Sequence, residues 1–153
     1  MGLKMGGLTV SQARASDLLE AVDDFGRRQR FTRRGFALAA RQAAEGAALT
    51  IRDDAGALVA VVGLWPEADH AEAWFAVGGG FRAAPVAAVR RMRDLLDAVG
   101  ADVAPMEVRA FVRAGSEGRV AGARLAAWLG FEMDGEDRTA GVPLVRFVRR
   151  FTV

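Results

Sequence analysis

The chain has no cysteine, no tyrosine, a single histidine (His70) and a single lysine (Lys4). Without cysteine there are no disulfides, no thiolate metal sites and no cysteine nucleophile. One histidine cannot build a histidine-based metal cluster, and the carboxylates show no ligand spacing, so no metal is expected. The absence of tyrosine leaves no phenol for acid–base work. Apolar residues make up 52% of the chain. They are scattered and often alanine, and no run approaches the roughly 20 residues a membrane-spanning helix needs. Met1 to Gly7 lacks the apolar stretch of a secretory leader. A cytoplasmic protein with no membrane partner is the plain expectation.

The 153 residues suggest one domain, 1–153, long enough to bury a core without staples. The pI of about 10.3 hints at nucleic acid. That value reflects arginines that do not titrate below about pH 12, and the net charge is only +2. Arginines cluster at Arg27, Arg28, Arg30, Arg33 and Arg34, and again at Arg90, Arg91 and Arg93. Solvated helix faces explain them more simply than an anion-binding patch, and nucleic-acid binding ranks third among the functional readings.

Leu8-Thr9-Val10 opens a strand, and Ser16 and Asp17 are placed to cap a helix over Leu18 to Phe25. A second helix spans Phe36 to Glu45, with Gly46 at its C-cap position. Ala48 to Arg52, the turn Asp53-Asp54-Ala55-Gly56 and Leu58 to Leu64 read as a hairpin. Trp65 to Asp69 reads as a further turn, and Ala71 to Val77 as the third strand of a meander. Pro85 starts a helix whose apolar face is Val89, Met92, Leu95, Leu96 and Val99, with Gly100 as its stop. Met106 to Val112 is a strand. Ser116 is placed to cap a helix carrying Val120, Leu125, Trp128 and Leu129, and Gly130 ends it. Phe131 to Met133 and Leu144 to Phe151 close the chain as strands. This order predicts an α+β fold with a mixed sheet of about six or seven strands flanked by about four helices.

The order β, α, α, β, β, β, α, β, α, β, β resembles the GNAT acyl-CoA N-acyltransferase fold along almost the whole chain. Three segments carry the resemblance: Leu8 to Leu18, the hairpin Thr50 to Gly63, and Ala123 to Glu132 with its Leu129-Gly130-Phe131 ending. Ala126 to Phe131 and Gly141 to Phe147 are further similar to short GNAT-like proteins encoded among the virion genes of tailed bacteriophages. That narrower similarity implies a structural virion component, docked on particle proteins or self-associated as a homo-oligomer.

The GNAT resemblance implies acetyl-CoA as cofactor and a small-molecule or protein amine as acceptor. Glu72 occupies the position of the family's glutamate base, and burial beside Trp74 and Phe75 would raise its pKa. The alternative is a Glu72 that points to solvent. The family's pyrophosphate loop has Arg or Gln, two residues, Gly, any residue, then Gly or Ala. It corresponds here to Arg82-Ala83-Ala84-Pro85-Val86-Ala87. The cofactor-binding residues implied are Val77, Gly78, Gly79, Gly80, Arg82, Ala84, Val86 and Ala87. Proline at position 85 removes one N–H donor, and the three glycines are equally readable as a bulge that ends a strand. The family's tyrosine donor corresponds to Ala126, which leaves Ser116, a water or nothing to protonate the thiolate. This argues for weak, altered or absent transferase activity. His70, beside a turn, reads as exposed and uninvolved. Trp128 reads as core, and Trp65 as the exposed aromatic.

Overall fold

The computed structural model describes residues 3–5, 7–25, 33–45, 47–114, 119–139 and 141–153. Gly46, Ser116 and the arginines at 27, 28 and 30 lie outside them. The element order is β1 (Leu3–Met5), β2 (Leu8–Gln12), α1 (Ala15–Phe25), α2 (Arg33–Glu45), β3 (Ala47–Asp53), β4 (Leu58–Pro66), β5 (Ala71–Val77), α3 (Gly79–Ala83), α4 (Pro85–Val103), β6 (Met106–Arg113), α5 (Arg119–Trp128), β7 (Glu132–Thr139) and β8 (Val142–Phe151). Among the described residues the mixed sheet has eight strands, in the order β1-β2-β3-β4-β5-β6-β8-β7. The short β1 and α3 add one strand and one helix to the sequence expectation. The chain divides into two compact units, one holding residues 1–65 and 74–88, the other residues 66–73 and 89–153.

In the first unit, β2 runs antiparallel to β1 and β3, and β3 antiparallel to β4. The β3–β4 turn is set by Asp53, whose Oδ1 accepts the amides of Ala55 and Ala57 at 3.0 and 2.9 Å. Gly56 takes the positive φ of +83° that this turn requires. The core is mostly alanine: Ala13, Ala21, Ala39, Ala43, Ala48 and Ala76 surround Leu18, Leu58 and Val61. Small side chains let α1 and α2 lie close to the strands, so scattered alanines suffice for a dry interior. Ser16 lies inside α1 rather than capping it. The carboxylate of Asp17 in the first turn reaches back to the Arg14 amide at 2.9 Å, the acidic half of a capping box.

In the second unit, β8 lies between β6 and β7, antiparallel to both. Glycine ends α5 as the sequence predicts. The Gly130 amide bonds the Ala127 carbonyl and the Phe131 amide bonds that of Ala126, both at 3.0 Å. With Gly130 at φ +88° this is a Schellman close. Gly100 does not stop α4, which continues to Val103. The ring of Phe151 fills the space a Cβ at Gly100 would need, so the glycine serves packing. Arg149 stacks 4.6 Å over that ring, donates to the Leu129 carbonyl at 2.9 Å and pairs with Asp97. Trp128, expected in the core, is 49% exposed. It shares an outward face of α5 with Val120, Ala121, Arg124 and Ala127, at steps of one, three and four residues.

Candidate active site

The loop residues implied as cofactor-binding all lie in the first unit. Val77 is the last residue of β5, and Gly78 caps α3 in extended geometry. A Cβ on Gly78 would collide with the Leu58 carbonyl, and one on Gly80 would stand 3.0 Å from the same oxygen. The Gly78 amide donates to the Val59 carbonyl at 2.9 Å. Gly78 and Gly80 are therefore required by their close approach to β4, whatever else they do. Gly79, Arg82, Ala84, Val86 and Ala87 are exposed. Ala84 separates α3 from α4, and its carbonyl accepts the Ala88 amide at 3.0 Å. The amides of Val86 and Ala87 thus precede the first intrahelical bond of α4, where a 19-residue helix presents its positive end. Small exposed side chains leave this turn open. Arg82 beside it supplies a forked cation, so the residues present fit an anionic pyrophosphate.

Glu72 lies in the second unit, on the only strand pair recorded as parallel among the described residues. β5 and β6 pair at Ala71↔Val108 and Glu72↔Arg109, and the register ends there. The Glu72 side chain is 42% exposed, so the expected burial beside Trp74 and Phe75 is not met. Its neighbour is His70, whose Nε2 stands 3.6 Å from Glu72 Oε1.

His70 is neither exposed nor uninvolved. Its side chain is 13% exposed, and Nδ1 lies 2.6 Å from Asp69 Oδ1. The His70 carbonyl also accepts the Glu67 amide at 2.8 Å, closing the turn between β4 and β5. That turn begins only after Pro66. Trp65, expected as the exposed aromatic, is a half-buried residue of β4. The hydrogen bond from His70 holds Asp69 below the usual carboxylate range, with Arg109 helping. Arg109 donates to Glu107 at 2.7 Å, which depresses Glu107 and raises Arg109. Arg150 of β8 approaches Glu107 from the other side at 3.2 Å.

A third polar cluster, in the first unit, was visible in sequence only as a helix cap. Asp17 accepts the Thr50 hydroxyl at 2.7 Å and an Arg52 donor at 2.9 Å, and Arg52 also grips Glu20 at 2.6 Å. Ser11, Gln12, Arg14, Ser16, Asp17 and Arg52 line a cavity of about 360 Å³ here. The side chains that hold it together bond to one another across α1, β3 and the hairpin, which marks a structural knot.

Ala126 is buried in α5 and carries no proton to donate. Among the described residues no group of three or more metal-type ligands gathers, and no helix is long and apolar enough to cross a membrane.

No family model matches the sequence, and no curated protein matches it. Solved structures do match. An acetyltransferase of the GNAT family from Bacillus anthracis superposes with a TM-score of 0.69 at 9% identity, covering 98% of each chain. The ribosomal-protein alanine N-acetyltransferase of Escherichia coli gives 0.68 at 17% identity, with 95% of each chain covered. A spermidine N-acetyltransferase chimera from Vibrio cholerae and hSSAT gives 0.66 at 15% identity, covering 95% of this chain and 96% of the other. At these identities the likeness speaks to architecture, and it extends over nearly the full length of each partner. The chain has the fold of the GNAT acetyltransferases.

Proposed function

We propose that this chain is an acetyl-CoA-dependent N-acetyltransferase acting on a primary amine. The observation that carries the reading is Glu72, a carboxylate at the last paired position of the parallel strands β5 and β6. Glu72 is half-open, as a group that must meet an incoming ammonium has to be. It takes the ammonium proton, directly or through a water. Arg82 and the amides of Val86 and Ala87 hold the pyrophosphate, with one donor fewer than the family pattern because of Pro85. Bound acetyl-CoA supplies an activated thioester carbonyl. With alanine at position 126, the protein contributes no phenol for the departing sulfur, so positioning accounts for more of the rate than acid catalysis. The names of the structural neighbours, a ribosomal-protein alanine acetyltransferase and a spermidine acetyltransferase, support a primary amine as acceptor class. Spermidine and an alanine-initiated peptide are therefore the probes of choice.

Calorimetry with coenzyme A tests the reading. Binding should be measurable, and Arg82→Ala should weaken it about 10- to 100-fold, the loss of one charge-assisted contact. Pro85→Gly, by restoring an N–H, should tighten it. No binding at millimolar ligand removes the reading, and an unchanged affinity in both variants removes this loop as the site.

The second reading is a non-catalytic assembly component, as in a virion, and the exposed face of α5 around Trp128 favours it. A homo-oligomer in solution that Trp128→Ser dissociates, with no coenzyme A binding, is the outcome this reading expects in light scattering. A monomer that binds coenzyme A discards it.

A further inference from the structure

We propose that Asp69, His70 and Glu72 form a proton relay in which His70 acts through Glu72 as a positioning and proton-storing residue; this rests on the acetyl-transfer reading above. The argument begins with hydrogen positions. A neutral imidazole carries one N–H. Asp69, an acceptor when ionised, lies 2.6 Å from Nδ1, so that hydrogen belongs on Nδ1. Nε2 is then a bare lone pair, and it faces a second carboxylate, Glu72, at 3.6 Å. Two lone-pair atoms at that separation do not bond. A proton on either atom turns that contact into an attraction, which a small side-chain movement closes to hydrogen-bond distance. The pair is thus one proton short of a continuous chain from Glu72 to Asp69, which is the proton an ammonium brings.

The ring is held for this purpose. His70 immediately precedes β5 and Glu72 is the second residue of that strand, and the 3.6 Å between Nε2 and Oε1 shows the two side chains side by side. The backbone of His70 is pinned by the Glu67 amide, and its side chain is largely withdrawn from solvent. The other charges at hand are on β6, β7 and β8. Arg109 is matched by Glu107, and Glu107 by Arg150 as well, while Asp134 acts on Arg109 from further away. The cations of the cluster are therefore engaged, and the imidazole remains the group free to take up charge. Its bond to His70 holds the Asp69 carboxyl below the usual carboxylate range, so Asp69 stays ionised at the end of the chain.

The step balances as follows. The ammonium R–NH3+ gives one proton to Glu72, which passes it to His70 Nε2. The freed nitrogen lone pair forms the C–N bond to the thioester carbonyl, and the C–S bond breaks with its electron pair on sulfur. The second nitrogen proton ends on that sulfur, giving an amide and a thiol. The imidazolium, bracketed by two carboxylates, then returns its proton to solvent.

Because His70 is the only histidine, its ring gives a single set of NMR signals with no assignment problem. Nitrogen-15 spectra should find the neutral ring protonated on Nδ1, and Asp69→Ala should release it to the Nε2–H form of an unrestrained imidazole. In kinetics with acetyl-CoA and spermidine or the alanine peptide, kcat/KM should show an acid limb that follows the titration of the ring. His70→Gln should lose that limb and about 10²-fold in rate, with coenzyme A affinity unchanged. Asp69→Asn, a milder change, should shift the limb and keep part of the rate. A neutral ring protonated on Nε2, or a His70→Gln profile identical to that of the unaltered protein, overturns the relay and leaves acetyl transfer standing. An unaltered protein that neither binds coenzyme A nor turns over takes away the underlying reading, and the relay with it.

Discussion

Asp17 ties α1 to β3 through Thr50 and Arg52. Burial alone would push its carboxyl up, but the Thr50 hydroxyl, the Arg14 amide and Arg52 together hold it below the usual carboxylate range. A folded-state pKa below the unfolded value means stability that is fully present above about pH 4 and lost as pH falls through the folded value. Asp17→Asn keeps the size and removes the charge. It should cost about 2–3 kcal/mol at pH 7, measured by urea unfolding, and the gap from the unaltered protein should narrow steadily in acid. An equal loss at pH 7 and pH 2.5 would mean that the packing, and not the charge, was what the aspartate supplied. Sequence reading finds Asp17 as a cap because capping is local. It does not find Thr50 and Arg52, which are 33 and 35 residues away. His70 is misread for a related reason. A turn suggests exposure, but the ring is 13% exposed, with Asp69 and Glu72 set against its two nitrogens.

At the level of elements, strands and helices are legible where their ends carry their own chemistry. The Asp53–Gly56 turn, Pro85 at the start of α4 and the Gly130 close of α5 each name a boundary from a few adjacent residues. Boundaries set by distant partners are not legible. Gly100 looks like a stop, yet α4 runs through it because Phe151, some fifty residues on, occupies the space beside it. The short α3 is hidden for the same reason, since Gly78 and Gly80 are there to pass close to Leu58. α5 inverts expectation. Its apolar spacing promised a buried Trp128, but the stripe from Val120 to Trp128 faces outward, and the core is reached instead through Ala126 and Leu129. Trp128→Ser should therefore change unfolding free energy by less than about 1 kcal/mol, where a buried tryptophan would cost about 3–5 kcal/mol. A loss in the larger range would place the side chain back in the interior.

For the whole molecule, the order of elements is enough to give the fold, because few architectures accept two helices after one strand, then a meander, then alternation. The candidate site is less legible, since its chemistry depends on which carboxylate meets which base. Charge is legible only as a total. A pI near 10.3 with a net charge of +2 says that the bases are arginines, and several of the described ones pair with internal carboxylates such as Asp17, Glu107, Asp134 and Asp97. The tryptophans have a consequence for how the competing readings are told apart. In a chain without tyrosine, intrinsic fluorescence comes from indole alone. Trp74 lies over Gly63 with its Nε1 buried and unpartnered, in the same unit as the Arg82 loop, and should emit toward the blue. Trp128, on the open face of α5, should emit toward the red and be quenched by acrylamide. Coenzyme A should then alter the blue, quencher-resistant part of the spectrum, whereas self-association through α5 should shift the red part and shield it. With half-buried Trp65 contributing between them, Trp74 and Trp128 mark the blue and red limits of the emission, one for each function proposed for the protein.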